Sequence, residues 1–258
     1  MFDPIMAGRL DVAELVFYIF VLFFIGLVYY LRREDRREGY PVEDEITGVV
    51  DSSVGPLTGD LTKRFFLPHG RGTITTPTKH REPVRIAATR IDRFGGAPYQ
   101  PTGDPLVDGV GPAAYAHRAP WPDLDSEGRL RVVPISVDTH FTIASRDPDP
   151  RGMTMLGSDD RVAGIVTDVW IDRSDRMIRY LEVQLANGGR QVLVPYLMVD
   201  VQARRRAVKT DSISAHQFAN APTLAVPGEI TRFEEERVMA YFGGGYLYAN
   251  PQRAEPFI

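Results

Sequence analysis

Residues 15–31, LVFYIFVLFFIGLVYYL, run for seventeen positions without a charged side chain. As a helix rising about 1.5 Å per residue they cover roughly 25 Å. The preceding Val12-Ala13-Glu14 turn extends this to about the 30 Å of a bilayer's hydrocarbon core. No later stretch of the 258 residues approaches that length. The pattern therefore predicts one membrane span with a water-soluble body beginning at Arg32. A helix buried in a soluble core keeps a polar stripe, and this one has none. It is apolar all round, with Phe17, Tyr18, Phe20, Phe23 and Phe24 near its start and Gly26 further on. Composition leaves open whether it packs on other membrane helices or only anchors.

The flanks set its orientation. Asp3, Arg9, Asp11 and Glu14 make the leading segment net acidic, unlike the basic start of a cleaved signal peptide. Asp11 is placed to cap the helix, with Glu14 three residues on as its capping-box partner. Tyr29 and Tyr30 fall where an aromatic belt lies. Arg32, Arg33, Arg36 and Arg37 follow at once, against Arg9 alone before the span. That bias puts the C-terminal body in the cytoplasm and the N-terminus in the periplasm. The same four arginines are candidates for holding anionic lipid headgroups.

Composition narrows the chemistry. A net charge of −4 gives no reason to expect nucleic acid as a partner. The absence of cysteine excludes disulfides, thiolate zinc sites and cysteine nucleophiles. Twenty prolines and 23 glycines predict a turn-rich body with little helix after the span.

Along the chain, residues 34–48 read as a juxtamembrane linker and 51–59 as a loop. Residues 62–67 and 73–76 read as short strands about the tight turn Pro68-His69-Gly70-Arg71-Gly72. Gly70 and Gly72 form only a GxG, with no βα unit to make it a nucleotide loop. Residues 84–91 read as a strand. Residues 95–112, GGAPYQPTGDPLVDGVGP, are too rich in glycine and proline for regular structure. Tyr99, Leu106, Val107 and Val110 within them suggest an ordered loop laid over a surface. Residues 121–131 form an acidic turn before a strand at 132–137. Runs at 165–171, 181–185, 191–194 and 198–201 predict strands, with hairpin turns at 172–175 and 187–189. Leu181-Glu182-Val183-Gln184-Leu185 alternates with period two. Such spacing argues for a small antiparallel barrel or sandwich. Thr231 and Glu234 form a capping box opening a helix of about eleven residues, which Gly243-Gly244-Gly245 is expected to stop.

Catalytic signatures are missing. His69, His80, His117, His140 and His216 have no partners at metal-ligand spacing, and no HExxH, GxSxG or Walker A pattern occurs. The body reads as a binding or structural module. Asp123, Asp125 and Glu127 crowd one turn, while Asp172, Asp175 and Glu182 flank a hairpin with Arg173, Arg176 and Arg179. Most such clusters are solvated charged faces. The sharper reading is a proton-collecting surface, because crowded carboxylates raise one another's pKa toward neutrality.

Several unusual motifs occur in order: Gly26-Leu27-Val28-Tyr29-Tyr30-Leu31, Arg37-Glu38-Gly39-Tyr40-Pro41 and Leu67-Pro68-His69-Gly70-Arg71-Gly72-Thr73. Pro101-Thr102-Gly103-Asp104-Pro105, Asp108-Gly109-Val110-Gly111-Pro112-Ala113 and Leu181-Glu182-Val183 follow. On these the chain resembles the H subunit of the purple-bacterial photosynthetic reaction centre, nearly end to end. The resemblance implies one transmembrane helix plus a mainly-β cytoplasmic body containing a PRC-type barrel and a short C-terminal helix. It divides the chain into a periplasmic 1–11, a span 12–31, a linker 32–60, a loop-rich β segment 61–150 and the barrel with its helix at 151–258.

The resemblance also implies a non-catalytic subunit in the bacterial inner, intracytoplasmic membrane. This subunit packs beside the L and M subunits and stabilises them, with lipids, a cytochrome subunit and antenna proteins as further partners. Bacteriochlorophyll, bacteriopheophytin, quinones and non-haem iron belong to partner subunits, and none to this chain. The body covers the quinone sites and helps deliver protons to the secondary quinone. Asp175 then takes the position of a family glutamate near that quinone, one methylene shorter. Arg179 matches a family arginine, and Asp123 and Asp125 match acidic positions near proton uptake. Glu127 and Arg129 stand where some members carry a metal-binding HxH pair. A membrane-anchored PRC-barrel adaptor unrelated to photosynthesis would explain the span and barrel but not the 67–73 and 101–113 motifs. A single-pass enzyme fits less well, for want of catalytic motifs.

Overall fold

The computed structural model describes residues 5–6, 10–35, 44, 46–49, 62–76, 85–186 and 188–253. Contacts group the chain into two units, Met1–Val84 with Phe94–Gly96, and Arg85–Arg93 with Ala97–Ile258.

The first unit is dominated by the helix α1 (Val12–Asp35). Two-residue strands β1 (Ile5–Met6) and β2 (Leu10–Asp11) pair just before it. Asp11 caps it, Oδ1 accepting from the Ala13 amide at 3.1 Å. Glu14 accepts from the Tyr18 hydroxyl one turn on, at 2.9 Å. Val12–Glu34 is long and apolar enough to cross a membrane, with a mean hydropathy of 2.4 in its most apolar window. The helix passes the expected end at residue 31 and takes in the first part of the expected linker. Arg32 and Arg33 lie in its last turn, where cations oppose the helix dipole. Arg36, Arg37 and the 51–59 loop lie outside the described residues. Strands β3 (Lys63–Phe66) and β4 (Thr73–Thr76) form the expected hairpin, with Phe66 opposite Thr73. Its loop closes on a Leu67 N–H to Gly72 carbonyl bond of 2.8 Å.

The second unit begins with β5 (Ala88–Arg90), shorter than expected, paired with β6 (Tyr99–Pro101). The glycine-proline stretch corrects its reading: besides β6 it holds helix α2 (Pro105–Asp108) and a 3-10 turn, Gly111–Ala113. Its prolines and glycines sit at element ends. Pro105 opens α2 behind the Asp104 cap, and Gly109 closes it at φ 66. Leu106, Val110 and Ala113 are buried, while Val107 is exposed.

The main sheet comprises β7 (Val132–Pro134), β8 (Thr154–Leu156), β9 (Val162–Asp172), β10 (Met177–Leu185), β11 (Gln191–Pro195), β12 (Val199–Gln202) and β13 (Ala207–Thr210). Hydrogen bonds follow the order β11-β10-β9-β8-β13-β12, and β7 pairs with β9. The two end strands, β11 and β12, are consecutive in sequence and joined by the three-residue 3-10 turn Tyr196–Met198. A flat sheet would hold them about 24 Å apart at 4.8 Å per strand. Four peptide links span at most about 15 Å. The sheet must therefore roll up, which is the physical content of a barrel. One pair departs from the all-antiparallel expectation, since β13 runs parallel to β8. Their connection is the whole of β9 to β12, so no tight turn dictates their relative direction. Along β10, Leu181, Val183 and Leu185 are buried and the residues between them are not, as the alternation requires. Trp170, Tyr180, Phe218 and Phe242 are the largest fully buried side chains.

Helix α3 (Arg232–Tyr248) opens with the expected Thr231–Glu234 capping box but runs for 17 residues, through the three glycines. Close packing at Gly244 and Gly245 accounts for two of the three. A Cβ on Gly244 would lie 2.5 Å from the Ala113 Cβ, and one on Gly245 2.8 Å from the Ser212 carbonyl oxygen. A Cβ on Gly243 would meet nothing within 4 Å. Adjacent glycines should thus respond oppositely. Gly243→Ala should stabilise by up to about 1 kcal/mol through helix propensity. Gly245→Ala should destabilise by about 1–3 kcal/mol through overpacking against backbone. Urea unfolding of the two variants checks this, and stabilisation in both would refute the packing role.

Candidate functional site

The acidic turn and the β9–β10 hairpin meet through Arg131. Arg131 lies one residue before β7, whose Val132 pairs with Asp172 at the end of β9. Its Nε donates to both oxygens of Asp172, at 2.9 and 3.0 Å. The rest of the guanidinium reaches Asp175 at 2.6 Å and Asp123 at 3.5 Å. Asp172 also accepts the amides of Ser174 and Asp175 at 2.9 and 3.0 Å, which closes the hairpin turn. Burial alone would raise the Asp172 carboxyl. The Arg131 bonds and the two amides outweigh it and hold the group below the usual carboxylate range.

Asp175 and Arg179, four residues apart in sequence, do not pair. Asp175 is half exposed and belongs to Arg131. Arg179 turns to Glu235 on α3, 3.5 Å away. Tyr180 donates to the same carboxylate at 3.0 Å. Consecutive strand residues normally face opposite sides. Here the pairing register of β10 with β9 shifts between Ile178 and Tyr180, and the bulge lets both reach one acceptor. Helix α3 is pinned alongside by the Arg232 and Phe233 amides, which donate to the carbonyls of Trp121 and Ala119 at 3.1 Å each. Burial lifts the Glu235 carboxyl above its usual value, against its bonds from Tyr180 and Arg179; the nearby Asp123 charge adds to the rise. Glu235 was invisible to sequence reasoning, which saw only its neighbour Glu234 as a capping residue. Nothing local marks an acid in a first helical turn as buried.

Asp125 and Glu127 form a separate group. Asp125 accepts the Glu127 amide at 3.0 Å and the Arg129 amide and Nε at 2.8 and 2.9 Å. Burial raises its carboxyl, but the Arg129 bonds prevail and lower it. It is a turn-locking carboxylate. Glu127 is exposed and pairs with Arg129 at 3.2 Å. Glu182, grouped with the hairpin acids by sequence, accepts from the Trp170 indole at 2.9 Å. Among the described residues, no group of three or more histidine or acidic side chains is arranged to hold a metal ion. Of the lipid-headgroup candidates, Arg32 is exposed and Arg33 half-buried at the end of α1.

The arrangement places a half-exposed carboxylate (Asp175), an arginine hub and a largely buried carboxylate of raised pKa (Glu235) in one surface region. A carboxyl whose pKa burial raises is a candidate for proton handling.

Two family descriptions match the sequence. Residues 5–137 match the photosynthetic reaction centre H-chain N-terminal region, which is 133 of the 258 residues. Residues 143–217 match the PRC-barrel domain and take in β8 to β13.

Removing Arg131 leaves Asp172 buried and unpaired. Arg131→Gln should cost about 3 kcal/mol at neutral pH. In the wild-type chain the pair's contribution is complete above the unfolded-state pKa of about 3.9 and is lost as pH falls through the lower folded-state value. The variant lacks that stabilisation, so acid unfolding should begin at a higher pH. Trp170 fluorescence during acid titration reads the shift, and coincident curves would show that the pair does not hold the hairpin.

Proposed function

The chain belongs to the photosynthetic reaction-centre H-chain family, and on that premise we propose that it caps the L and M subunits and helps deliver protons to the secondary quinone. The carrying observation is the family match over residues 5–137, which runs from the membrane-length helix into the turn bearing Asp123, Asp125 and Arg131. In this reading α1 spans the bacterial inner membrane with its N-terminus in the periplasm, packed beside pigment-bearing subunits. The body covers their quinone sites. Pigments, quinones and non-haem iron belong to those partners.

A buried quinone reduced by two electrons must take up two protons through a dry protein shell. Asp175 is suited to exchange protons with water, because half of its side chain is exposed and one Arg131 nitrogen orients it. Asp123 and Glu235 extend the path inward, with Arg179 positioning Glu235. Asp125 and Glu127 add negative potential at the surface, and Arg129 holds Asp125 in place.

Asp175→Asn should slow the proton-coupled second-electron transfer to the quinone by about tenfold or more, less than the roughly hundredfold or greater effect of removing a sole proton-transfer group, since water and neighbouring carboxylates remain. Primary charge separation should stay unchanged. Flash-absorption kinetics of the purified complex read both, and unaltered second-electron kinetics would remove Asp175 from the path. Zn²⁺ should inhibit only weakly, since Glu127 and Arg129 occupy the positions of the HxH pair. Inhibition at micromolar metal would overturn that. The membrane-anchored adaptor reading is separated by a near-infrared spectrum of the protein purified from its native membrane. Co-purifying bacteriochlorophyll supports the reaction-centre role, and a colourless preparation supports the adaptor.

A further inference from the structure

Residues 138–150 leave two adjoining cavities against β9 and β10. One, of about 580 Å³, is lined by Arg129, Arg173, Arg176, His140 and Asp138. The other, of about 430 Å³, has the aliphatic side chains of Ile135, Ile143, Ile171, Ile178 and Val201 in its wall, together with Asp147. Phe141, Thr142 and Arg176 line both, so the cavities form one cleft with its arginines gathered at one end and its aliphatic side chains at the other.

The ion pairing around this cleft is uneven. Arg173 is held by Asp138 at 2.6 Å and by the Leu130 carbonyl at 2.9 Å. Arg129 is held by Asp125 and Glu127. Arg176, at the junction, has no hydrogen bond or ion pair among the described residues. It sits at φ 53, in the left-handed region that a non-glycine residue adopts at some cost. Asp147, in the wall of the second cavity, is exposed.

We infer that this cleft binds an anionic amphiphile, a short alkyl or acyl chain carrying a phosphate or carboxylate head. A bare anion would leave the aliphatic wall wet. A plain hydrocarbon would desolvate the Arg176 guanidinium without supplying an acceptor, which is costly. A ligand with both parts satisfies both ends: the head pairs with Arg176 in the fork geometry that guanidinium favours, and the chain lies against the isoleucines. Each cavity is of the size that small-molecule sites occupy. Arg176 and the aliphatic wall lie outside the Arg131–Glu235 constellation, and Arg129 is the one lining residue that also serves the proton-delivery reading, where it holds Asp125.

The test titrates the full chain in zwitterionic-lipid nanodiscs by calorimetry, with empty nanodiscs as the blank. The probes are hexyl phosphate, inorganic phosphate and hexyl glucoside. Hexyl phosphate should bind about tenfold or more tightly than either of the others, a factor worth 1.4 kcal/mol. Arg176→Gln should remove that advantage, while Arg176→Lys, which keeps the charge, retains part of it. An unchanged near-UV circular dichroism spectrum shows that the variants are folded. Equal binding of inorganic phosphate would reduce the cleft to an ion site, and equal binding of hexyl glucoside to an apolar one. Either result, or an Arg176→Gln variant that binds hexyl phosphate like the wild type, overturns the inference.

Discussion

A carboxylate out of water must be surrounded by donors or give up its charge. Asp172, with 1% of its side chain exposed, is surrounded: two turn amides and the Arg131 Nε fill its lone pairs. This one interaction closes the β9–β10 hairpin and draws in the residue that leads β7 onto β9. Loss of a partner from such a pair costs several kcal/mol, which is a large part of a domain's stability. The same arginine then has nitrogens left over, and it spends them on Asp123 and Asp175. The surface carboxylates are thus arranged by a structural ion pair beneath them.

Helix α3 supplies the other half of the constellation. Its C-terminal half lies close against Ala113 and Ser212 because Gly244 and Gly245 have no side chains. Its N-terminus is held by the capping box and by backbone bonds to residues 119–121. Fixed at both ends, the helix carries Glu235 to the bulge in β10, where Arg179 and Tyr180 converge on it. The raised carboxyl of Glu235 follows from that burial, and Arg179 and Tyr180 keep the cost of charging it within bounds. A carboxyl raised above its usual range arises here from backbone packing more than from any local acidic pattern.

The elements legible in the sequence are those whose signal is local. The apolar run, the β3–β4 turn, the alternation of β10 and the Thr231–Glu234 box each depend on residues within a few positions of one another. Readings failed where the meaning of a residue lay elsewhere in the chain. The glycines at 243–245 read as a stop, yet two of them, Gly244 and Gly245, serve close contact with residues more than thirty positions away. The prolines and glycines of 95–112 read as irregular chain, yet several mark the ends of short elements whose Leu106 and Ala113 reach the core. The cation that holds Asp175 is Arg131, 44 positions distant, which no local pattern marks.

By itself the sequence determined a membrane-length helix, a β-rich body after it, and the ordered motifs that carry the family resemblance, because hydrophobic period, charge bias and turn residues act over short range. Tertiary structure alone decided which carboxylates share a cation, which acid is buried and where an arginine stays unpaired. Those outcomes depend on strand register, on the bulge at Arg179 and on the approach of a helix along its glycines. Each of these is set by contacts between segments far apart in the chain.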